Sequence, residues 1–186
     1  WGWWCEQAPS HCRSDGEAGL TVLIRAEIAA DIPEIHSLTH RAFADMPYSD
    51  GTEADLNNAL RAAGVLVLSL VAEDAGAVVG HVAFTAAVSQ TGETGWFVLG
   101  PIAVEPQRQG QGIGGQLIRA GLARLAGLDA KGCVLIGDTG YYPRHGFVPR
   151  PDLAPPGEPA EHYMVLAFGT EPSAPLGFHP LFHSIG

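Results

Sequence analysis

The residues best suited to chemistry lie in one glycine-rich stretch. Residues 109–115 read Gln-Gly-Gln-Gly-Ile-Gly-Gly and precede a pattern typical of a helix. Glycines carry no side chain, so the backbone of this stretch can approach a ligand closely. At the start of a helix, free N–H groups and the positive end of the helix dipole converge on one place. The stretch therefore predicts an anion site suited to a pyrophosphate.

Two classes of cofactor use a site of this kind. Gly110, Gly112 and Gly115 match the G-x-G-x-x-G pattern of dinucleotide-binding proteins. In those proteins the glycines directly follow a strand, usually the first strand of the fold. Here residues 105–109 separate the glycines from the preceding strand, and three antiparallel strands are predicted before them. This context disfavours a nicotinamide-dependent oxidoreductase.

The same stretch has a second interpretation as Gln109-x-x-Gly112-x-Gly114, which resembles the acyl-CoA loop of the GNAT family of N-acetyltransferases. Leu-Gly-Pro-Ile-Ala-Val-x-Pro at residues 99–106 resembles the fourth strand of that family. Asp-Thr-Gly-Tyr-Tyr-Pro-Arg-His-Gly-Phe at residues 138–147 resembles its Tyr-x-x-x-Gly-Phe element. The likeness runs from about residue 21 to about residue 168, and it is strongest to a branch of largely uncharacterised N-acetyltransferases.

The resemblance implies acetyl-CoA as co-substrate and no metal. The pyrophosphate of acetyl-CoA would bind the backbone amides of the loop, which consists of Gln109, Gly110, Gln111, Gly112, Ile113, Gly114 and Gly115. Its pantetheine arm would enter a gap beside the fourth strand and contact Ile102, Ala103 and Val104. The residues support this independently, because Pro101 lacks an N–H and must break or bulge the ladder beside it. An ordinary edge strand that contains a proline is the alternative.

Tyr142 aligns with the family tyrosine that protonates the departing CoA thiolate. A nearby hydroxyl stabilises that leaving group by donating a proton. Tyr141 is the alternative, and either ring could simply pack against the sheet. The base that deprotonates the amine is open among Asp138, Glu105 and His81, and a cap on the following turn is the expected role of Asp138.

Other side chains near these motifs have two interpretations each. Arg108 and Arg144 are candidates for CoA phosphates or for solvated surface positions. Cys133 lies in an apolar run and is expected to be a buried small hydrophobe. The aromatic segment at residues 178–182 is expected to shield a sheet edge, with a cover over the substrate pocket as the alternative.

Hydrophobic periodicity predicts the elements of the first half of the chain. A strand at residues 21–25 precedes a helix with Asp31 as N-cap and Pro33 in its first turn. A second helix is predicted to end at Gly64. The following three strands are predicted to form an antiparallel meander, at residues 65–71, 77–88 and 96–104.

The second half predicts a crossover from the third meander strand to a parallel neighbour. The helix at residues 112–126 makes this connection to a strand at residues 131–138. The remaining elements are a turn at residues 141–146, a strand that begins at 147–148, a proline-rich loop at 149–159 and a last strand at 162–168. The predicted fold is α/β (α+β): a mixed, mainly antiparallel sheet, splayed between its fourth and fifth strands, with helices on both faces.

The chain is predicted to hold one acetyltransferase domain at residues 20–169. Residues 1–19 show no periodicity and are expected to be a poorly ordered appendage. Residues 170–186 are expected to form an aromatic tail that packs on the domain.

Composition excludes several classes of function. Acidic residues outnumber basic ones 20 to 10, which disfavours nucleic acid as a partner. No run of about 18 apolar residues is present for a membrane span. The three cysteines and eight histidines lack metal-ligand spacing, which favours a reduced, cytoplasmic setting without a metal.

The predicted function is direct attack of an amine, from a small molecule or a peptide, on acetyl-CoA in a ternary complex. The alternative is an acyl-CoA-binding sensor or interaction module without transfer activity. The resemblance also makes a homodimer a candidate assembly, since dimers are common in the family. No motif in the loops identifies the amine acceptor.

Overall fold

A seven-stranded sheet forms the centre of the molecule. The computed structural model describes residues 22–46 and 51–184, so the appendage predicted at residues 1–19 lies outside the described part. The strands of this sheet are β1 (Leu23–Ala26), β2 (Leu66–Asp74), β3 (Ala77–Ala86), β5 (Trp96–Val104), β6 (Gly132–Ile136), β7 (Val148–Pro149) and β8 (Tyr163–Ala167). A second, two-stranded sheet joins β4 (Val88–Ser89) to β9 (Leu176–Gly177).

The strand order is β1-β2-β3-β5-β6-β8-β7, and β5 with β6 is the parallel pair in an otherwise antiparallel sheet. This confirms the predicted meander of β2, β3 and β5 and the crossover from β5 to β6. The predicted strand at residues 77–88 is divided, because Val88 and Ser89 pair in the second sheet. The predicted fourth and fifth strands are consequently β5 and β6.

Within the described residues, four α-helices accompany the sheets: α1 (Ile32–Phe43), α2 (Glu53–Ala62), α3 (Ile113–Ala126) and α4 (Leu181–Ser184). Gly64 follows α2 with φ of +69°, the left-handed conformation that was predicted. Asp31 occupies the predicted N-cap position of α1, but its side chain makes no capping hydrogen bond to that helix. Its carboxylate instead accepts a hydrogen bond from the Ile28 N–H and pairs with Arg25.

Helix α3 lies on one face of the sheet, and its approach depends on a glycine. An added Cβ on Gly121 would lie 2.4 Å from two ring atoms of Phe84, a fully buried side chain of β3. Ile113, Leu117 and other apolar residues of α3 complete this core. The α3 face is therefore packed at close range against β3.

The opposite face is covered by α1, α2 and the C-terminal segment. Ile35 and Leu38 of α1 pack against Val71 and Ala103, while α2 packs where β5, β6 and β8 meet. Helices thus lie on both faces, as predicted.

The C-terminal aromatic residues cover a face of the sheet, which corrects the prediction that they shield an edge. Phe178 and Phe182 are buried in one cluster with Tyr163 of β8. The Tyr163 hydroxyl donates to the Leu176 carbonyl at 2.8 Å. The sequence could not show this, because the segment reaches that face only through the pairing of β9 with β4.

The proline-rich region is more ordered than the predicted loop at residues 149–159. Pro149 belongs to β7, which pairs with β8, and Pro151–Leu153 forms a 3-10 turn. The prediction was wrong about Pro149 because an edge position tolerates a residue that lacks an N–H.

Candidate active site

Strands β5 and β6 separate towards their carboxyl ends. They pair at three positions, Trp96 with Gly132, Phe97 with Cys133 and Val98 with Val134. Beyond these positions, Leu99 and residues 102–104 pair with β3, while Leu135 and Ile136 of β6 pair with β8. The space between these diverging segments is called the β5–β6 gap below, and its presence confirms the predicted splay.

A bulge sits in β5 beside the gap, as Pro101 predicted. Ile102 is opposite Val82 and Leu99 is opposite Phe84, so Gly100 and Pro101 together face one residue of β3. An extra residue in one strand bends that strand and interrupts its ladder. The bend directs the end of β5 away from β6.

The backbone N–H and C=O groups at the end of β5 face alternately β3 and the gap. The Glu105 N–H donates to the Val79 carbonyl at 3.0 Å, so Glu105 faces β3. Because backbone groups alternate along an antiparallel strand, Ala103 also faces β3, whereas Ile102 and Val104 direct their N–H and C=O towards the gap. Of the three predicted contact residues, Ile102 and Val104 present backbone groups there and Ala103 does not.

The glycine loop connects β5 to α3 at the mouth of the gap. Gly110 and Gly112 have φ of +74° and +79°, a left-handed conformation that favours glycine. An added Cβ at either position would meet nothing within 4 Å, so both face open space. The Gln116 N–H bonds the Gly112 carbonyl at 3.1 Å, which leaves the N–H groups of Ile113, Gly114 and Gly115 as the unpaired first donors of α3.

Two side chains hold this loop to the sheet. Gln109 Nε2 donates to the Val104 carbonyl at 3.2 Å. Arg108 donates from one terminal nitrogen to Asp74 Oδ2 at 2.8 Å and from Nε to Gln111 Oε1 at 2.9 Å. Arg108 therefore anchors the loop to the β2–β3 hairpin, a structural role that the sequence did not indicate.

Tyr142 is fixed on the β6 side of the gap. Its ring is 1% exposed and packs edge-on against Phe147, with centroids 5.8 Å apart. An added Cβ on Gly137 would lie 2.5 Å from the Tyr142 ring, so the glycine after β6 makes room for it. Tyr142 belongs to the same large apolar cluster as Ile102, Val104 and Ile113.

Tyr141 is directed towards basic neighbours. Arg144 lies over its ring, with the guanidinium carbon 4.9 Å from the centroid, and the His145 ring is 5.1 Å away. His145 in turn packs on the start of α3, since an added Cβ on Gly115 would lie 3.1 Å from His145 Cε1. Burial lowers the pKa of His145, and the charges of Arg119 and Arg144 lower it further. Sequence reasoning missed His145, although it lies within the Tyr-x-x-x-Gly-Phe element.

The three candidate bases have different surroundings. Asp138 Oδ1 accepts the Gly140 N–H at 2.5 Å, which confirms its predicted role as a cap. Glu105 pairs with Arg41 of α1 at 2.8 Å. His81 is fully buried in β3, next to Ser69 and Glu27.

Cys133 is buried in β6, as predicted, and burial raises the pKa of its thiol far above the ordinary range. It is therefore not a nucleophile. Within residues 22–46 and 51–184, no group of three or more His, Cys, Asp or Glu side chains is arranged to hold a metal ion. Over the same ranges, no helix has the length and apolar character needed to cross a bilayer.

Comparison with known proteins identifies the family. The acetyltransferase (GNAT) domain model matches residues 67–149. YhbS from Escherichia coli K12, an uncharacterized N-acetyltransferase, is 39% identical over 127 residues, which cover 68% of this chain and 73% of YhbS. This chain therefore belongs to the GNAT family of N-acetyltransferases, as the motifs around residues 99–147 predicted.

Solved structures agree with that assignment. A GNAT family acetyltransferase from Brucella melitensis, crystallised with acetyl-CoA, is 45% identical, with a TM-score of 0.78 over 87% of this chain and 98% of that one. The Escherichia coli YhbS structure, in complex with CoA, is 31% identical, with a TM-score of 0.79 over 93% of this chain and 98% of YhbS. These likenesses confirm the predicted fold.

Proposed function

We propose that this N-acetyltransferase moves the acetyl group of acetyl-CoA to an amine of a small molecule or peptide by direct attack in a ternary complex. The observation that carries the proposal is the β5–β6 gap, which has the amino end of α3 at its mouth. Complexes of the Brucella melitensis enzyme with acetyl-CoA and of YhbS with CoA support the choice of donor.

The cofactor would lie across the loop and into the gap. The unpaired N–H groups of Ile113, Gly114 and Gly115, with the dipole of α3, would bind the pyrophosphate. Gln109, Gly110, Gln111 and Gly112 would follow its outline with their backbone. The pantetheine arm would pair with the gap-facing backbone of Ile102 and Val104, and Ala103 would contribute its side chain on the α1 side.

The reaction needs a polarised thioester carbonyl, an acid for the departing thiolate and a base for the attacking amine. The amine nitrogen attacks the thioester carbon, a C–N bond forms, and the C–S bond breaks. The Val104 N–H would polarise the carbonyl oxygen, as a backbone donor in an oxyanion hole does. The Tyr142 hydroxyl would donate its proton to the departing thiolate.

The first test is thermal unfolding with excess acetyl-CoA, with NADH as the control ligand. A ligand that binds only the folded state raises the unfolding midpoint by an amount set by its concentration relative to its Kd. We expect acetyl-CoA to raise the midpoint of the parent but not that of Gly112→Asp, since a carboxylate at the loop repels the pyrophosphate.

Gly92→Asp is the matched control, because Gly92 also has positive φ, +77°, and open space around its Cα. It should respond to acetyl-CoA as the parent does. Stabilisation by NADH alone, or by neither ligand, would contradict the proposal.

Transfer itself is measured as CoA thiol release with spermidine, lysine, alanine amide and benzylamine as acceptors. Release above the rate of acetyl-CoA hydrolysis with any of them supports transfer. Binding of acetyl-CoA without release, across amines of each class, would instead indicate a sensor.

A further inference from the structure

A partly buried polar network joins the end of β1, β2 and β3 to α2. Arg61 donates to both carboxylate oxygens of Glu27, at 2.6 and 2.9 Å. The Ser69 hydroxyl donates to the same carboxylate and lies 2.8 Å from His81 Nε2. Glu27 Oε2 is 3.6 Å from that nitrogen. His81 is therefore connected to Glu27 through Ser69.

The network determines which nitrogen of His81 carries the proton. The Ser69 hydroxyl has one proton and donates it to Glu27. The Ser69 oxygen must therefore accept a hydrogen bond from His81 Nε2–H. In the neutral ring, Nδ1 then keeps an unprotonated lone pair. This Nδ1 is buried and has no hydrogen-bond partner among the described residues.

Burial keeps the His81 ring neutral. Burial lowers the pKa of His81, and it outweighs the opposing effects of Glu27 and Asp31, while Arg61 lowers the pKa further. Burial acts to raise the pKa of Glu27, but hydrogen bonds from Arg61, His81 and Ser69 outweigh it and hold that pKa well below its usual range. A carboxylate and a neutral imidazole are thus the stable pair at neutral pH.

His81 lies on the strand next to the one that would hold the pantetheine arm. His81 is paired with Ala103 of β5, and residues that are directly opposite each other have side chains on the same face. On either side of Ala103 in the chain, Ile102 and Val104 direct backbone groups towards the β5–β6 gap, so His81 lies one strand away from the proposed path of the pantetheine arm. The two ring nitrogens of an imidazole point in diverging directions. Because His81 Nε2 bonds Ser69 on β2, Nδ1 points away from Ser69.

We propose that His81 Nδ1 is the general base that takes the proton of the acceptor amine. The inference rests on the proposed transfer reaction. As the C–N bond forms, the amine proton moves to Nδ1, and the thiolate takes the Tyr142 proton. Exchange with solvent then removes the proton from His81 and restores the one on Tyr142. Glu27 and Ser69 are positioning residues, which hold the tautomer and stabilise the imidazolium.

The test variant is His81→Gln, because its amide keeps an N–H donor for Ser69 and has no basic nitrogen. The control is His36→Gln, which removes an exposed histidine of α1. Rates are measured as CoA thiol release with the most reactive of the four amines, and with water as the nucleophile through acetyl-CoA hydrolysis. Acetyl-CoA binding is measured separately by thermal shift.

We expect His81→Gln to bind acetyl-CoA like the parent and to lose about 10²- to 10⁴-fold in kcat, the usual contribution of general acid–base catalysis. The parent rate should fall as the pH drops through the pKa of His81, which gives the pH–rate profile an acidic limb. The variant should lack this limb. Retention of kcat within about threefold, or of the acidic limb, would overturn the proposal.

A measurement on the parent covers the case in which His81→Gln does not fold. NMR titration of the histidine side chains should show an Nε2–H tautomer for His81 and a pKa that matches the kinetic limb. A different tautomer, or a pKa that does not match, would also overturn the inference. Failure of the proposed function is distinct, because the parent itself would then show no binding of acetyl-CoA.

Discussion

The two faces of the sheet are built on different principles. The α3 face is an apolar core in which Phe84, Leu117 and their neighbours pack closely. The α1/α2 face also has an apolar core, but it buries polar side chains within it: Thr39, Asn57, His81 and Thr85. Along β3, His81 and Thr85 alternate with Val82 and Phe84, so one strand serves both faces.

The two faces therefore have different roles around the β5–β6 gap. Close apolar packing under α3 gives a rigid frame for the loop and for Tyr142. Buried polar groups are costly unless they are hydrogen-bonded, and on the α1/α2 face they include His81, the proposed general base. The comparison predicts that changes on the α3 face act through shape and changes on the other face act through charge.

The largest effect is expected for the hydroxyl of Tyr142, a residue of the apolar cluster on the α3 face. Tyr142→Phe removes only the hydroxyl, so we expect kcat for CoA release to fall about 10²- to 10⁴-fold. Tyr141→Phe is the matched control and should stay near the parent rate. Equal losses in the two variants would refute the assignment of Tyr142 as the acid.

A smaller effect is expected from the charge network. Glu27→Ala leaves Arg61 and His81 without their carboxylate, and it should lower the free energy of unfolding by about 3 kcal/mol, near the low end for a broken buried pair. The Arg61 and Glu27 side chains keep 18% and 16% exposure, which places the effect at that end. Urea unfolding measures it.

The control for that variant is Glu105→Ala, which breaks a more exposed pair with Arg41 and should cost at most about 1 kcal/mol. If Glu27→Ala costs no more than Glu105→Ala, the polar network does not differ from a surface ion pair.

The smallest effect tests shape on the α3 face. Alanine normally stabilises a helix relative to glycine, but Gly121→Ala places a methyl 2.4 Å from the Phe84 ring. We expect a loss of about 1–3 kcal/mol in urea unfolding, from overpacking. Phe84→Leu in the same chain should recover part of this loss, as coupled neighbours do. A stabilising Gly121→Ala would show that the α3 core is loosely packed.

Local signals allowed most of the fold to be predicted, and they also indicated the proposed cofactor site. The loop at residues 109–115 and the proline of β5 act on their own backbone, so their consequences are visible in a short stretch of sequence. Local signals also misled: Asp31 has the type and position of a helix cap, yet Arg25 and Ile28 use its carboxylate.

The sequence by itself determined the order of elements, the glycine loop before α3 and the break at Pro101, because each depends on residues near one another in the chain. Tertiary structure decided which distant residues meet. Glu27, Ser69 and His81 come from three segments, and only the pairing of β1, β2 and β3 brings them together. The tautomer of His81 and the place of the C-terminal aromatic residues follow from such long-range contacts, which no local pattern encodes.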